Sequence, residues 1–533
     1  MILNGDDLIE AGYERGPVIG EMLAKVAEYE ARGISEKKYA LKLLKRDFKA
    51  PPPKMAMREK AVKFTEAIAP QGKEEKLNVA KVRRQMGELL KSPIIQRGAV
   101  MPDACPAGSA SAVIPVGGAI AVENAIIPSA HSADICCSMY ATFYEARSEA
   151  KNEINALATA TRFGPGGRHF DDLVHHRVLE EEVWENRFLK GLEERARIHM
   201  ADQGDGNHFA YIGEVTLTEG QLGKLRAAGY NKMVDELDRV GRRDATVTAC
   251  DGPPQPRVYR VLVTHHGSRG LGAHLYKRGQ TAALKHTARV GDRIPKAAAW
   301  LHMRSDEGRL YWEALQYVSR WTRANHEAIH ARFLERIGGV AVTQFGNEHN
   351  FVWQRGDVFL HGKGATPAWK DGEGRPLLGL IPLNMAAPIL MVLGADNEEF
   401  LSFAPHGAGR NMSRTALKRS YPNAESRMLA IEEGTRGIDV RWYCGGSDLS
   451  ETPVAYKNAE QVTAQIAQFG LAEVVAEIQP LGCIMAGDSG PPPWMRKEEL
   501  LSPKQLRQIE HRAERRRTRQ DLRGDGGWVM GDG

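Results

Sequence analysis

Residues 112–122, AVIPVGGAIAV, and residues 139–146, MYATFYEA, are short apolar stretches bounded by glycine, proline and polar residues. Runs of this length, rich in β-branched and aromatic residues, are typical of buried strands. We predict further strands near residues 351–360 and 388–393. Helical periodicity is clearest over residues 308–335, which predict one long helix. The sequence therefore predicts an α/β (α+β) protein in which helices flank glycine-rich sheets.

Helical patterns also dominate the N-terminal part of the chain. Apolar residues recur at helical spacing from Leu8 to Val26, and Gly33 ends that pattern. Further helices are predicted over residues 36–47, 74–91 and 458–468, and a basic one over 503–523. We expect three parts, which are a helical portion (1–95), one catalytic body (96–487), and a Pro/Gly linker with a basic tail (488–533).

Composition points to an ordinary globular protein. The 533 residues are 42% hydrophobic and 26% charged, and no apolar run reaches the roughly 18 residues that a membrane span needs. The N-terminus is acidic and polar, unlike a secretory signal. Six cysteines are too few for a disulfide scaffold and favour a reducing compartment. We therefore expect a cytoplasmic protein that does not contact a membrane.

Positive charge is concentrated near the end of the chain. Residues 496–523 hold ten Lys or Arg and five Asp or Glu, a local net charge of +5. This local charge equals the net charge of the whole chain. A basic arm on a neutral body favours a polyanionic partner such as RNA phosphates. The alternative is a solvated helix face, on which Glu510 and Glu514 pair with arginines along the helix.

Six polar segments carry the side chains that could bind a ligand or take part in a reaction. We expect these segments in loops, where ligands and catalytic groups usually lie. Thiolate, imidazole and carboxylate groups together suit a transition metal. Taken singly, each has an ordinary explanation, since most histidines are solvated and a free cysteine is usually a small buried hydrophobe. The segments are Met101-Pro102-Asp103, Asp134-Ile135-Cys136-Cys137, and residues 204–209 (GDGNHF), 265–272 (HHGSRGLG), 346–350 (GNEHN) and 406–410 (HGAGR).

In composition and order, these segments resemble the RtcB RNA ligases. The resemblance covers residues 96–487 and is most specific at HHGSRGLG and at residues 406–414, HGAGRNMSR. It includes Asp-Ile-x-Cys at 134–137, Gly-Asn-His-Phe at 206–209, His349-Asn350, and Lys-Gly-Ala-Thr-Pro-Ala at 363–368.

The resemblance implies a site for two metal ions. Cys137, His265 and His349 would hold one Mn²⁺ ion, with Zn²⁺ or Co²⁺ as alternatives. Asp134, Cys137 and His208 would hold the second, so that Cys137 bridges the pair. Paired metal ions neutralise phosphate charge and align an in-line displacement. Two accessory residues are expected near the site, Asp103, which resembles a family acidic residue, and His266, which adjoins the candidate ligand His265.

The resemblance further implies that His406 attacks the α-phosphate of GTP and becomes a histidine–GMP adduct. GMP then passes to an RNA 3′-phosphate, and an RNA 5′-hydroxyl displaces it; a 2′,3′-cyclic phosphate end is opened first. Such enzymes serve RNA repair or tRNA splicing, and a need for an activating protein partner is left open. The expected nucleotide contacts are Asn207, Asn350, Arg410, Tyr456 and Lys457.

Four departures from the family pattern fall on positions assigned to the nucleotide. Tyr211 replaces an acidic residue, and residues 383–386 (LNMA) replace Gly-Ser-Met-Gly. The stretch around Met485, residues 483–487 (CIMAG), stands where the family has Val-Lys-Gly and lacks the lysine that touches guanine. Cys105 replaces a histidine near Asp103. The metal ligands are unchanged, so the sequence leaves open whether guanine is the preferred base.

Two other functions remain compatible with the residues. One is a metal-dependent hydrolase that processes RNA phosphate ends without GTP, and the other is a non-catalytic RNA-binding repair subunit that uses the basic tail. Outside the proposed site, we expect Cys136 to be a bystander. We expect His175-His176 and His326 to be solvated on charged helices.

Overall fold

A computed structural model describes residues 1–13, 16–48, 54–243 and 256–488, so the predicted basic tail lies outside the described residues. The helices are α1 (Gly5–Glu10), α2 (Pro17–Ala31), α3 (Lys37–Asp47), α4 (Gly72–Leu89), α5 (Ala150–Ala160), α6 (Glu193–Ile198), α7 (Glu219–Ala227), α8 (Asn231–Arg243), α9 (Arg269–Val290), α10 (Asp306–Ile337), α11 (Arg414–Ser420), α12 (Ala424–Gly434) and α13 (Ala459–Gln468).

Strands occupy the body of the chain and alternate with these helices, which confirms the predicted α/β class. They are β1 (Met55–Ala56), β2 (Phe64–Glu66), β3 (Ile95–Cys105), β4 (Val116–Glu123), β5 (Ala125–Ile126), β6 (Ser138–Tyr144), β7 (Phe209–Leu217), β8 (Arg257–His266), β9 (Gly291–Asp292), β10 (Leu301–His302), β11 (Ala341–Glu348), β12 (Asn350–Arg355), β13 (Val358–Lys363), β14 (Ala365–Pro367), β15 (Leu378–Pro382), β16 (Ile389–Gly394), β17 (Phe403–Pro405), β18 (Asp439–Trp442) and β19 (Ala472–Met485).

The larger sheet curls until its two end strands nearly meet. Its order is β11-β6-β8-β7-β19-β16-β15, with antiparallel neighbours throughout, and β18 runs parallel to the end of β19. The side chain of Asn347 on β11 joins this seam. Its amide donates to the carbonyl oxygen of Leu380 at 3.2 Å and accepts from the Leu380 N–H at 2.8 Å. One side chain thus completes the backbone pairing between the end strands.

The two faces of this sheet belong to two separate cores. Met139, Ala141 and Phe143 of β6 point to the inside of the curled sheet, whereas Tyr144 points to its outside. This alternation follows from the two-residue period of a strand. The long helix α10 packs on the outside, where its Trp321 is fully buried.

Helix α10 matches the long helix predicted over residues 308–335. Its start is capped by Ser305, whose hydroxyl oxygen accepts from the Gly308 N–H at 3.1 Å. Its end is Gly338, which has φ 60° and therefore adopts the left-handed conformation that favours glycine.

A second sheet has the order β12-β13-β4-β3-β2. Strand β4 includes most of the AVIPVGGAIAV stretch, and β12 and β13 form a hairpin within the strand region predicted at 351–360. Gly117 has φ +74°, and a Cβ there would lie 2.7 Å from the Cα of Ala104. Glycine at this position lets β4 approach β3 closely beside the polar segment that ends β3.

The N-terminal helices divide between two cores. The single helix predicted from Leu8 to Gly33 is wrong, because this stretch contains two helices, α1 and α2, whereas α3 and α4 match the helices predicted over 36–47 and 74–91. Helices α1 to α3 bury Leu8, Met22 and Leu44 in a small core of their own. Helix α4 instead packs Val82 and Met86 against β3 and β4. The predicted boundary at residue 95 stays a prediction.

Several local expectations differ from the structure. Met101-Pro102-Asp103 lies within β3, and residues 346–348 end β11, so these two segments are not loops. Residues 265–272 are not a loop, because they end β8 and begin α9, a helix that the glycines of this segment concealed. His326 is not solvated, because α10 buries it between Ser138 and Thr264. His175 is exposed as expected, although it lies outside the helices. Among the described residues, no helix combines the length and apolarity that crossing a membrane requires.

The seam of the larger sheet is testable through Asn347. Changing Asn347→Ala leaves the backbone N–H and carbonyl of buried Leu380 without partners, so we expect the free energy of unfolding to fall by about 1–3 kcal/mol. Chemical denaturation measures this change. Gln354→Ala, which removes an exposed side chain from β12, is the control and should change stability little. Equal stability of both variants would contradict the role of the seam.

Candidate active site

The candidate metal ligands meet because of the order and register of four adjacent strands. Cys137 and His208 directly precede β6 and β7. His265 lies near the end of β8, between those two strands, and pairs across the sheet with Phe209, the residue after His208. His349 follows β11, which lies on the other side of β6. Antiparallel pairing therefore brings strand starts and strand ends to one edge of the sheet.

The ligand atoms form two groups that share one sulfur. Cys137 Sγ lies 3.2 Å from His265 Nε2 and 3.6 Å from His208 Nε2. His265 Nε2 lies 3.2 Å from His349 Nε2, and His208 Nε2 lies 2.8 Å from Asp134 Oδ2. Cys137, His265 and His349 form one group and Asp134, Cys137 and His208 the other, each with its ligand atoms within 4.8 Å of one another. These are the two sets predicted; their role as ligands stays a prediction.

Burial sets the protonation of these groups. It lowers the pKa of His265 to about 3 and that of His349 well below its ordinary value, so both imidazoles are neutral and hold free lone pairs. Burial, followed by the charge of Asp134, raises the pKa of the Cys137 thiol. Burial would also raise the pKa of Asp134, but the charge and hydrogen bond of His208 outweigh it and lower that pKa. A cation bound here would therefore displace the thiol proton.

These side chains fit a pair of cations. His265 Nδ1 lies 3.2 Å from the backbone carbonyl oxygen of Asn207, to which it donates, so Nε2 keeps its lone pair toward the cluster. His349 Nδ1 is buried and has no hydrogen-bond partner among the described residues. A thiol, three imidazoles and a carboxylate, divided between two groups that share the thiol, form a donor set that transition metals favour.

Close backbone approach explains the glycines of the HHGSRGLG segment. A Cβ on Gly267 would lie 2.0 Å from Asp134 Oδ1, so any side chain there would displace the carboxylate. Arg269 begins α9 with φ +52°, a strained conformation for a non-glycine residue, and its guanidinium lies 3.5 Å from His208 Nδ1. A Cβ on Gly204 would lie 2.0 Å from that guanidinium. Arg269 therefore lies in the site, although the sequence analysis did not predict a role for it within the HHGSRGLG segment.

His406 lies beside these groups and is oriented by Asp103. Its ring centroid is 5.0 Å from that of His349. Its Nδ1 makes a short hydrogen bond to Asp103 Oδ2, and its backbone N–H donates to the same oxygen at 3.2 Å. Because Nδ1 donates its hydrogen to the carboxylate, Nε2 is the ring nitrogen that keeps a free lone pair. Gly409, with φ +71°, permits this geometry, since a Cβ there would lie 1.9 Å from the Asp103 carbonyl oxygen.

Two cavities meet at His406. The smaller one also contacts Cys137, His349, Asn350 and Lys363. Lys363 is half-buried there, and burial lowers its pKa to about 8. Lys363 belongs to a motif that resembles the family, but nothing else in the sequence indicates that this lysine lies in the site.

The larger cavity encloses about 820 Å³ of empty space, part of which is open to solvent. Its wall contains at least one residue from each of the four departures from the family pattern. They include Cys105, Tyr211, Leu383, Asn384, Met385 and Met485.

The predicted nucleotide contacts divide between the cavities and the protein interior. Asn207 lines both cavities, and Tyr456 lines the larger one. Asn350 lines the smaller one, where its side-chain oxygen accepts from the Gly364 N–H at 2.8 Å.

The other two predicted contacts already have protein partners. Arg410 lines the larger cavity, but its guanidinium donates twice to the carboxylate of Glu451 at 2.9 Å and to the Ser450 carbonyl oxygen at 2.7 Å. Buried Lys457 donates to the carbonyl oxygens of Pro102 and Ala104 at 2.8 and 2.9 Å, which fixes the strand that carries Asp103.

His266 and Cys136 lie behind the cluster. The His266 ring stacks on His326 with centroids 3.5 Å apart, and neither residue belongs to a ligand group among the described residues. Cys136 packs in the core outside the larger sheet. The accessory role of His266 stays a prediction.

The shared sulfur predicts an all-or-none loss of metal. Loss of an outer-shell partner typically costs 10–100-fold in metal affinity, so Cys137→Ala, which removes a ligand from both groups, should weaken Mn²⁺ binding more than about 100-fold at both positions. Mn²⁺ titration followed by metal analysis measures the stoichiometry. Cys136→Ala is the matched control and should keep both ions. Retention of one ion by the Cys137 variant would disprove the shared ligand.

Comparison with known proteins agrees with this geometry. The family model described as tRNA-splicing ligase RtcB matches residues 171–486. A tRNA-splicing ligase RtcB of Thermococcus kodakarensis is 26% identical over 461 residues, which cover 76% of this chain and 92% of the relative. An RNA-splicing ligase RtcB of Mycobacterium tuberculosis is 30% identical over 50% of this chain and 65% of the relative.

Coverage differs among the relatives. The match to the tRNA-splicing ligase RtcB of Pyrococcus abyssi is 28% identical and spans 56% of this chain but only 34% of that relative. The family model alone covers more than half of the chain and includes three of the five candidate metal ligands, His208, His265 and His349, together with His406. This chain belongs to the RtcB family.

Proposed function

We propose that this protein is an RNA ligase that uses GTP and two Mn²⁺ ions, and that it joins RNA 3′-phosphate or 2′,3′-cyclic phosphate ends to 5′-hydroxyl ends. Membership of a family whose relatives are named for tRNA or RNA splicing supports the reaction class. The observation that carries the proposal is His406. Its Nδ1 is bound to Asp103, and its ring lies 5.0 Å from that of the candidate ligand His349.

The first step uses the free Nε2 of His406. That lone pair attacks the α-phosphorus of GTP, a P–N bond forms, and the P–O bond to pyrophosphate breaks. The proton on Nδ1 stays shared with the Asp103 carboxylate, which stabilises the positive charge that develops on the ring. Asp103 is therefore the positioning residue for the nucleophile.

The next steps return His406 to its starting state. An oxygen of the RNA 3′-phosphate attacks the phosphorus of the adduct, the P–N bond breaks, and GMP becomes attached to the RNA end. The RNA 5′-hydroxyl then attacks the 3′-phosphate, a phosphodiester forms, and GMP leaves. When bound by Asp134, Cys137, His208, His265 and His349, the metal ions would neutralise phosphate charge and help align the displacement.

Lys363 supports the phosphate side of the site. It shares the smaller cavity with His406 and His349, and no acidic side chain lines that cavity. An ammonium group at this place would contact phosphate oxygens as a point charge. Arg269, next to His208, adds a second positive group near the metal ligands.

The histidine adduct is the direct test. Incubation with Mn²⁺ and α-labelled GTP should label the wild-type protein, and His406→Ala should lose the label because the nucleophile is gone. His175→Ala, which changes an exposed histidine, is the control and should keep the label.

The same assay separates the alternative functions. Absence of label with turnover of a 2′,3′-cyclic phosphate end would favour a GTP-independent hydrolase. Absence of both signals, with RNA still bound, would favour a non-catalytic RNA-binding subunit. Either result would refute the ligase.

Lys363 predicts a pH dependence. Since burial lowers its pKa to about 8, the ammonium form dominates below that pH and is lost as pH rises through it. We expect the labelling rate of the wild type to fall above pH 8 and that of Lys363→Arg to stay level, because arginine keeps its charge. Rates measured from pH 6.5 to 9.5 check this, and parallel profiles for the two proteins would contradict it.

A further inference from the structure

The larger cavity beside His406, which we call the base cavity, offers its ligand shape and apolar contact but almost no unused hydrogen-bonding side chain. We infer that it accepts a purine base without reading its hydrogen-bonding edge, so that ATP serves as nucleotide donor with an efficiency within about 100-fold of that of GTP. This inference rests on the proposed function and changes its substrate class from GTP to purine nucleoside triphosphates.

Apolar side chains dominate the far wall of the base cavity. Leu383, Met385, Ile389 and Met485 line it and are all at least nine-tenths buried. Tyr211 also lines it, but its hydroxyl donates to the Ile478 carbonyl oxygen at 2.9 Å and is therefore directed away from any ligand. Such a wall fits the faces and edges of a flat ring by contact alone.

Glu451 is the one carboxylate in the wall of the base cavity, and its acceptor capacity is already used. Oε1 accepts from Arg410 at 2.9 Å and contacts Arg414 at 2.6 Å. Oε2 accepts from Arg410 at 2.9 Å and from the Tyr456 hydroxyl at 2.8 Å. A carboxylate has about four lone-pair sites, so these partners occupy them.

The side-chain oxygen of Asn384 also has its hydrogen-bond partners within the protein. This oxygen accepts from the N–H groups of Ala386 and Ala387, both at 2.9 Å. Only the NH₂ group of Asn384 remains to donate. Asn207 lines both cavities and so borders the smaller one, which also contacts Cys137, His349 and His406.

The hydrogen-bonding groups of these side chains decide which purine bases the base cavity can distinguish. Guanine differs from adenine by presenting N–H donors at N1 and N2, which need acceptors, and the acceptors of Glu451 and Asn384 are occupied. A donor such as the Asn384 NH₂ can reach a ring nitrogen of adenine or the O6 of guanine equally. A site that reads a polar group discriminates by about 10⁴–10⁵, whereas an apolar pocket rarely exceeds about 10–200-fold.

The experiment measures both binding and labelling on the full chain with Mn²⁺. Initial rates of His406 labelling are compared for α-labelled GTP and ATP over a range of concentrations. In parallel, unlabelled GTP and ATP compete against a fluorescent purine nucleotide for binding. We expect a GTP-to-ATP ratio below about 100-fold in both measurements, and a ratio of about 100-fold or more would overturn the inference.

Failure of the inference and failure of the proposed function give different results. Labelling by GTP alone supports the ligase and overturns base tolerance. Absence of labelling with a binding ratio below the threshold supports base tolerance and overturns the histidine adduct. Absence of binding by either nucleotide overturns both.

A gain of selectivity provides a second check. Leu383→Gln places an acceptor in the apolar wall and should raise the preference for GTP at least tenfold. Leu377→Gln makes the same substitution at a half-buried position outside the base cavity and should leave the ratio unchanged. Thermal melting of both variants establishes that they fold. If the folded Leu383 variant kept the GTP-to-ATP ratio of the wild type, Leu383 would not contact the base, which would contradict the inference.

Discussion

The register of the antiparallel strands β11, β6, β8 and β7 is the constraint on which the site depends. It places the residues just before β6 and β7 against the end of β8, so that Cys137, His208 and His265 converge although 128 residues separate the first from the last. A slip of one residue would turn each side chain to the other face of the sheet. Both hydrophobic cores that flank this sheet therefore also hold the ligand geometry, because each fixes one face of β6 and β8.

Regular elements with a clear period could be predicted from the sequence. Helix α10 has apolar residues on one stripe and a glycine stop, and the prediction missed its ends by only two residues on each side. Helix α9 was hidden because its first turn is the glycine-containing segment that reads as a loop, and because its burial depends on packing against α10 and other distant elements. The burial of His326 was likewise invisible, since a charged helix sequence does not reveal which face meets Ser138 and Thr264.

The candidate site divides along the same line. The motif order indicated which residues belong together, and the structure brings together all five candidate ligands and His406. The sequence did not indicate that Arg410 is committed to Glu451 or that Lys457 is buried under the strand of Asp103. Glu451 lies in no recognised motif, and its importance comes only from the partners that the fold assembles around it. Motifs identify the reactive groups, but only the structure shows which neighbouring side chains already form hydrogen bonds with them.

Asn347 links the architecture to the chemistry in one further way. It fastens the open edge of the larger sheet and stands two residues before His349 on the same stretch of chain. Any cation held by His349 would restrain this stretch from one side while Asn347 restrains it from the other. Ligand binding and global folding are then thermodynamically linked, since a ligand that binds only the folded state stabilises it by mass action. Metal supply would in this way raise or lower the stability of the folded protein as well as its activity.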